Sequence, residues 1–150
     1  MSNTQTAAGP ELVIRRTFNA PRSRVFEAFT KAELLRQWFT PPGKEPGAVT
    51  FDARVGGSYR ITSTDPDGEE WNFGGVISEF RVPERLAYTF HWEEDDKSAE
   101  REMYVTLDFI DRGEQTEIVF TQTNFASEAS RDGHLEGWYE VFDKLPALLT

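Results

Sequence analysis

The stretch HLEGWYEVFDKLPALL, residues 134–149, has the apolar spacing of an amphipathic helix but contains two residues that destabilise helices. In a helix interior, a glycine such as Gly137 costs about 1 kcal/mol relative to alanine, and a proline such as Pro146 costs about 3 kcal/mol. We expect this helix to accept both because it lies across a curved sheet as the lid of a cavity. Gly137 would allow helix and sheet to approach closely, and Pro146 would let the last turn bend. The alternative is that Gly137 simply lies in a loose first turn.

Upstream of this helix, the period of the apolar residues changes to two, which is typical of strands. Turn-forming residues separate six runs, at residues 48–53, 57–64, 70–80, 85–92, 101–110 and 115–124. Their short connections predict an antiparallel meander, and the β-branched residues of ELVIRRTFNA, residues 11–20, predict a further strand. Two glycine pairs, at 56–57 and 74–75, predict bulges or close backbone approach, as in a sheet that curls.

Two short helices are predicted between the first strand and the meander. Apolar residues recur at spacings of three and four in residues 21–39, and Thr30 could cap the second helix. The next segment, TPPGKEPG at residues 40–47, predicts a loop and a possible pocket rim, because it contains three prolines and two glycines. We interpret residues 1–10 as a flexible tail and residues 11–150 as a single domain.

Parity along the strands predicts which face of the sheet is buried. On three strands, apolar residues alternate with polar ones and define one strongly apolar face. Those residues are Leu86, Tyr88, Phe90, Trp92, Met103, Val105, Leu107, Phe109, Ile118 and Phe120. The closing helix presents Leu135, Trp138, Phe142, Leu145 and Leu149 at helical spacing, so it should cover that face. The fold class is therefore α+β: a curved seven-stranded antiparallel sheet, two short helices after strand 1 and a long C-terminal helix packed across the sheet.

Composition excludes several classes of partner. The 150 residues include 16 basic and 26 acidic residues, for a net charge of −10, which disfavours nucleic acid and anionic membrane surfaces. Without cysteine there is no disulfide, thiolate nucleophile or cysteine zinc site. No apolar run approaches 18 residues and the N-terminus does not resemble a leader, so we expect no membrane insertion and a cytoplasmic location.

The polar residues indicate no specific chemistry. His91 and His134 are the only histidines, and we favour a surface role for each over a role as general base or metal ligand. Carboxylates cluster at two turns, 65–70 and 93–96, where solvated tips are expected. Neither a metal-ligand spacing nor a nucleophile motif is present. The prediction is therefore no catalytic residue, no cofactor and no transition metal.

Several stretches resemble one known family. FNAPRSRVFEAFTKAELLRQWF, GGSY, FGGVISEFRVPERLAYTFHW, TEIVFTQTNF and GHLEGWYEVFDKL are similar to the family named for the activator of the 90-kDa heat-shock-protein ATPase. That family belongs to the START-like, or SRPBCC, superfamily, which it shares with the birch-pollen allergens. The resemblance covers nearly all of residues 11–150 and implies a helix-grip fold. It also implies an apolar cavity between sheet and closing helix, of the kind that holds lipids, sterols or polyketides in other members.

The apolar face is rich in aromatic residues, and the resemblance implies a cavity beside it. Together they predict a ligand site between the sheet and the closing helix. The candidate lining is Trp38, Phe39, Tyr88, Phe90, Trp92, Met103, Val105, Phe120, Gln122, Trp138 and Phe142. The Tyr88 hydroxyl, the Trp92 and Trp138 indole nitrogens and the Gln122 amide would orient a ligand. The same residues could equally form a plain core, and Arg60 and Tyr104 could reach the rim.

We therefore expect non-enzymatic binding of a small hydrophobic or aromatic molecule, as a carrier or sensor. One alternative is a protein-interaction module, co-chaperone-like, that regulates a chaperone ATPase. In this family the eukaryotic co-chaperone has an additional chaperone-binding domain, and we expect 150 residues to leave no room for it here. A second alternative is an enzyme that resembles polyketide cyclases or hydrolases, which would need a titratable group facing the cavity.

Overall fold

The structure is a computed structural model, and it describes residues 10–40, 43–93 and 102–149. The predicted tail at residues 1–10 lies almost wholly outside these ranges, as does most of the acidic connection at 93–100.

Seven antiparallel strands form one curled sheet, as the alternating pattern predicts. The strands are β1 (Leu12–Phe18), β2 (Glu45–Phe51), β3 (Ser58–Thr64), β4 (Glu70–Arg81), β5 (Arg85–Trp92), β6 (Met103–Arg112) and β7 (Gln115–Thr123). Their order in the sheet is β1-β7-β6-β5-β4-β3-β2. Strands β2 to β7 are consecutive hairpin neighbours, and β1 pairs with β7, with Ile14 opposite Phe120.

The described residues form four helices beside the sheet. They are α1 (Arg22–Thr30), α2 (Ala32–Trp38), α3 (Glu128–Phe142) and α4 (Leu145–Leu149). The prediction that Thr30 caps α2 is wrong, because Lys31 is the N-cap residue. Thr30 instead ends α1, where its hydroxyl donates a 2.9 Å hydrogen bond to the Phe26 carbonyl oxygen.

The closing helix is interrupted before its proline rather than bent at it. Helix α3 ends at Phe142, and Pro146 is the second residue of α4, where a first helical turn tolerates proline. The two residues between the helices, Asp143 and Lys144, both make side-chain contacts with other parts of the chain. Arg16 donates to the Asp143 carboxylate at 2.6 Å, and Lys144 Nζ donates to the Thr40 carbonyl oxygen at 2.7 Å.

The proline-rich segment at residues 40–47 is only partly a loop. Strand β2 begins at Glu45, so Pro46 and Gly47 are strand residues, contrary to the prediction. Proline is compatible with this strand because β2 lies at the sheet edge and its register on β3 shifts between Pro46 and Val49.

The second predicted glycine pair lies where neighbouring strands approach closely. A Cβ on Gly74 would overlap the Tyr59 carbonyl oxygen, and one on Gly75 would overlap the Thr89 carbonyl oxygen. The register of β4 on β5 shifts a few residues later, between Ile77 and Glu79. Close backbone approach is thus confirmed at this pair, and the sheet irregularity follows it.

The apolar face predicted from parity is buried and forms the core. Its members on β5, β6 and β7 are at most 4 % exposed, except Trp92, which is half-buried. From the closing helices, Trp138, Phe142, Leu145 and Leu149 join this core, and Leu135 packs partly against it. Among the described residues, no helix has the length and apolar character that a membrane span requires.

Candidate functional site: an aromatic groove between sheet and helix

A groove with a cavity volume of about 310 Å³ lies between α3 and the strands β3, β4 and β5. Among the described residues, six Phe and Trp side chains line it: Phe39, Trp71, Phe73, Phe90, Trp92 and Trp138. Three of the four tryptophans are therefore in the groove, and the fourth, Trp38, is fully buried with its indole nitrogen bonded to the Ala28 carbonyl oxygen at 2.8 Å.

Cross-strand pairing builds the aromatic wall on the sheet side. Phe73 of β4 pairs with Trp92 of β5, and side chains two residues apart on one strand share a face. The Phe73 and Phe90 rings stack with centroids 4.4 Å apart and planes 19° apart, and the Trp92 ring lies 5.3 Å from Phe73. Trp71 meets Trp92 edge to face at 6.3 Å. The wall is a continuous aromatic surface.

Helix α3 forms the opposite side of the groove, and its N-cap is Ser127, whose hydroxyl accepts a hydrogen bond from the Ser130 amide. Its groove-lining residues are Ala129, Ser130, Gly133, His134, Gly137, Trp138 and Val141. The two glycines, Gly133 and Gly137, are one turn apart, and a Cβ built on either has no heavy atom of the described residues within 4 Å. The expectation that Gly137 permits close contact between helix and sheet is therefore wrong, since Gly137 faces open space in the groove.

His134 lies between this helix and the aromatic wall. The Trp92 indole N–H donates to His134 Nε2 at 3.0 Å, and His134 Nδ1 lies 2.8 Å from the Ser130 carbonyl oxygen. Because Nε2 accepts a hydrogen bond, the ring is neutral and its proton is on Nδ1, from which it donates to Ser130. The expectation of a surface role for His134 is wrong, because its half-buried ring fastens α3 to β5.

A cation at the rim comes from the proline-rich segment. Lys44 Nζ lies 2.8 Å from the Asp65 carboxylate and 4.9 Å from the centre of the Trp71 ring. The Trp71 indole N–H donates to the same carboxylate at 2.7 Å. Hydrogen bonds from Lys44 and then Trp71 hold the pKa of Asp65 below its usual range. Three carboxylates lie close together here, those of Asp65, Asp67 and Glu69. The Asp65 carboxylate already contacts Lys44 and accepts a hydrogen bond from Trp71.

Of the eleven residues predicted to line a cavity, four line the groove: Phe39, Phe90, Trp92 and Trp138. The other seven lie in the core instead. They are Trp38, Tyr88, Met103, Val105, Phe120, Gln122 and Phe142.

The polar groups expected to orient a ligand are mostly engaged with the protein. The Trp138 indole N–H donates to Gln122 Oε1 at 2.8 Å, and the Gln122 amide nitrogen lies 3.5 Å from Met103 Sδ. Burial raises the pKa of Tyr88, so its hydroxyl stays protonated. Trp92 is bonded to His134, as described above. None of these four described side chains therefore presents a free polar atom to the groove unless it changes its conformation.

Sequence reasoning missed Lys44, Ser63, Trp71, Phe73 and the lining residues of α3 other than Trp138. Spacing contained a signal for part of this set, because His134, Gly137, Trp138 and Val141 share one helix face. Lys44 lies just before β2, and Ser63 of β3 pairs with Pro46, so the approach of these two segments depends on tertiary pairing rather than on a local motif.

The curled antiparallel sheet with a C-terminal helix across its concave face places the chain among START-like proteins of the helix-grip architecture. The chain belongs to the family described as "Activator of Hsp90 ATPase homolog 1-like protein", whose model matches residues 19–150.

Similar solved structures share this fold. A protein from Chromobacterium violaceum is 25 % identical with a TM-score of 0.83, covering 93 % of this chain and 96 % of that one. One from Rhodobacter sphaeroides is 25 % identical with a TM-score of 0.81, covering 94 % and 95 %. A third, the AHSA1 protein from Silicibacter pomeroyi, is 22 % identical with a TM-score of 0.83, covering 93 % and 97 %. No curated protein matches the chain significantly.

Proposed function

We propose that the groove between α3 and the sheet binds a small hydrophobic or aromatic molecule non-covalently, so that the protein acts as a carrier or sensor. The observation that supports this most strongly is the cavity of about 310 Å³ lined by six aromatic side chains. This volume lies at the lower end of the range of roughly 300 to 1,000 Å³ for small-molecule sites, so the ligand is small.

Two features of the groove lower the stability of the fold when no ligand is bound. Trp71, Phe73 and Trp92 are only half-buried, although burying apolar surface stabilises a fold by about 25 cal/mol per Å². Gly133 and Gly137 each cost roughly 1 kcal/mol relative to alanine in a helix, and neither has a positive φ or a close neighbour that would require glycine. A ligand that fills the groove would cover the aromatic rings and use the space over the glycines.

The polar groups of the groove support binding rather than catalysis. The described titratable side chains that line it are Lys44 and His134. Lys44 is paired with Asp65, and both His134 ring nitrogens have partners. An acid or base would have to break one of these contacts before it could act on a substrate.

The family description supports a different proposal, a co-chaperone-like module that acts on a chaperone ATPase. This alternative predicts that the purified protein raises the ATP hydrolysis rate of purified Hsp90. The ligand-binding proposal predicts an unchanged rate.

Native mass spectrometry of freshly purified protein tests the ligand-binding proposal. We expect a co-purified small molecule, or saturable tryptophan quenching by a member of a panel of fatty acids, sterols, flavonoids and polyketides. Gly137→Leu places a side chain in the groove and should abolish both signals. Glu136→Leu is the matched control, because Glu136 is exposed on the same helix and does not line the groove. Absence of any ligand and of any quenching, or equal signals in both variants, would contradict the proposal.

A further inference from the structure

One buried polar side chain of the groove has no hydrogen-bond partner among the described residues. Ser63 of β3 lines the groove and is 8 % exposed, and no described residue forms a hydrogen bond with its hydroxyl. The neighbouring Thr62 hydroxyl, by contrast, donates to Asn72 Oδ1 at 2.6 Å. A nearly buried hydroxyl that lacks a described protein partner can form a hydrogen bond only with a group that enters the groove, which is either water or a ligand. A ligand group is the natural partner for Ser63.

The electrostatics of the groove favour a neutral ligand. Lys44 is the one charged side chain among the described lining residues, and Asp65 balances it at 2.8 Å. The His134 ring is held neutral by the Trp92 indole N–H on Nε2. An anionic ligand would also approach a protein of net charge −10. No described lining residue therefore offers an uncompensated cation to a carboxylate.

The shape of the groove favours a flat ligand. On the helix side, Gly133 and Gly137 expose bare backbone over one helical turn. On the sheet side, Phe73 and Phe90 stack within 19° of parallel, and the Trp92 ring adjoins them. An extended ring system between these surfaces contacts apolar atoms on both sides, and offset or edge contacts with the aromatic rings stabilise it further.

We infer that the ligand is a neutral, fused-ring aromatic molecule with one hydroxyl or carbonyl oxygen, which hydrogen-bonds to Ser63 while the rings lie between α3 and the aromatic wall. This inference rests on the proposed function, because it specifies the ligand of the same groove. It assigns Ser63 as the residue that selects for the polar substituent and the two glycines as the residues that admit the rings.

Three probes with the same ring system separate the contributions of the hydroxyl group, the apolar rings and a negative charge to binding. They are 2-naphthol, 2-methylnaphthalene and 2-naphthoate. Dissociation constants are measured by NMR titration at pH 7 for the wild type and for Ser63→Ala. Ser58→Ala is the matched control, since Ser58 is exposed on the same strand and does not line the groove. Melting temperatures of both variants establish that the fold is intact.

We expect 2-naphthol to bind more tightly than 2-naphthoate. Ser63→Ala should weaken 2-naphthol binding by about 2- to 10-fold, the usual net effect of one hydrogen bond, and leave 2-methylnaphthalene unchanged. Tighter binding of 2-naphthoate, or equal effects of Ser63→Ala and Ser58→Ala on 2-naphthol, would overturn the inference without affecting the proposed function. If no probe binds but a co-purified ligand of another class is lost in Gly137→Leu, the inference fails and the proposed function stands.

Discussion

Replacing Gly137 by alanine should stabilise the protein. The substitution places a methyl group where no heavy atom from the described part of the chain lies within 4 Å, so it creates no clash there. Alanine is favoured over glycine in a helix interior by about 1 kcal/mol, and glycine-to-alanine changes at compatible sites stabilise proteins by about 0.4 to 1 kcal/mol. For a chain of this length, that corresponds to an increase in melting temperature of about 1 to 4 °C.

Thermal and urea unfolding, followed by circular dichroism and tryptophan fluorescence, measure this change. The matched control is Gly75→Ala, whose new Cβ would overlap the Thr89 carbonyl oxygen on the adjacent strand. It should destabilise the protein by about 1 to 3 kcal/mol, since an overpacked site must shift its backbone. The change from glycine to alanine should thus raise the free energy of unfolding at Gly137 and lower it at Gly75. A destabilised Gly137→Ala variant would show that helix and sheet meet closely at Gly137 and would refute the open groove.

Three further predictions concern the contacts around the groove. Trp138→Phe leaves Gln122 Oε1 buried without its hydrogen-bond donor, and it should lower the free energy of unfolding by about 1 to 3 kcal/mol beyond the lost packing. In urea unfolding, the double variant with Gln122→Leu should be destabilised by less than the sum of the two single changes. Strict additivity would contradict the contact. Asp65 should titrate below the usual range of an aspartate in carboxyl NMR, and Lys44→Met should raise its pKa. Because the folded-state pKa of Asp65 is lowered, its contribution to stability is present above the unfolded pKa and is lost as the pH falls through the folded one; an unshifted titration would argue against the Lys44 contact. Finally, imidazole ¹⁵N shifts at neutral pH should show that His134 has its proton on Nδ1, whereas a proton on Nε2 would exclude the acceptor geometry.

The alternating pattern was sufficient to predict the sheet and its buried face, because parity on a strand determines which side chains share a face. Met103, Val105 and Phe120 illustrate this, since each is at most 1 % exposed. The pattern could not place the start of β2. Proline usually excludes a strand, and only the edge position of β2 and its register shift make Pro46 compatible with one.

The groove was harder to predict than the fold because the same residue types line it and fill the core. Trp38 and Trp92 both lie in apolar patterns, yet Trp38 is fully buried and Trp92 faces the groove. The difference depends on where α3 leaves space, and that follows from Gly133 and Gly137 rather than from the aromatic residues. Parity places Ser63 on the same strand face as the buried Ile61, but its position beside Trp71 in the groove depends on how β3 pairs with β4.

The most direct test of the binding site uses the four tryptophans as internal reporters. Indole N–H signals are recorded by ¹H–¹⁵N NMR while 2-naphthol is added to the protein. If the groove is the binding site, the signals of Trp71, Trp92 and Trp138 shift and saturate together. The signal of Trp38, which is hydrogen-bonded to Ala28 in the core, stays in place. Shifts of all four signals without saturation, or of none, would contradict the assignment of the groove as the site.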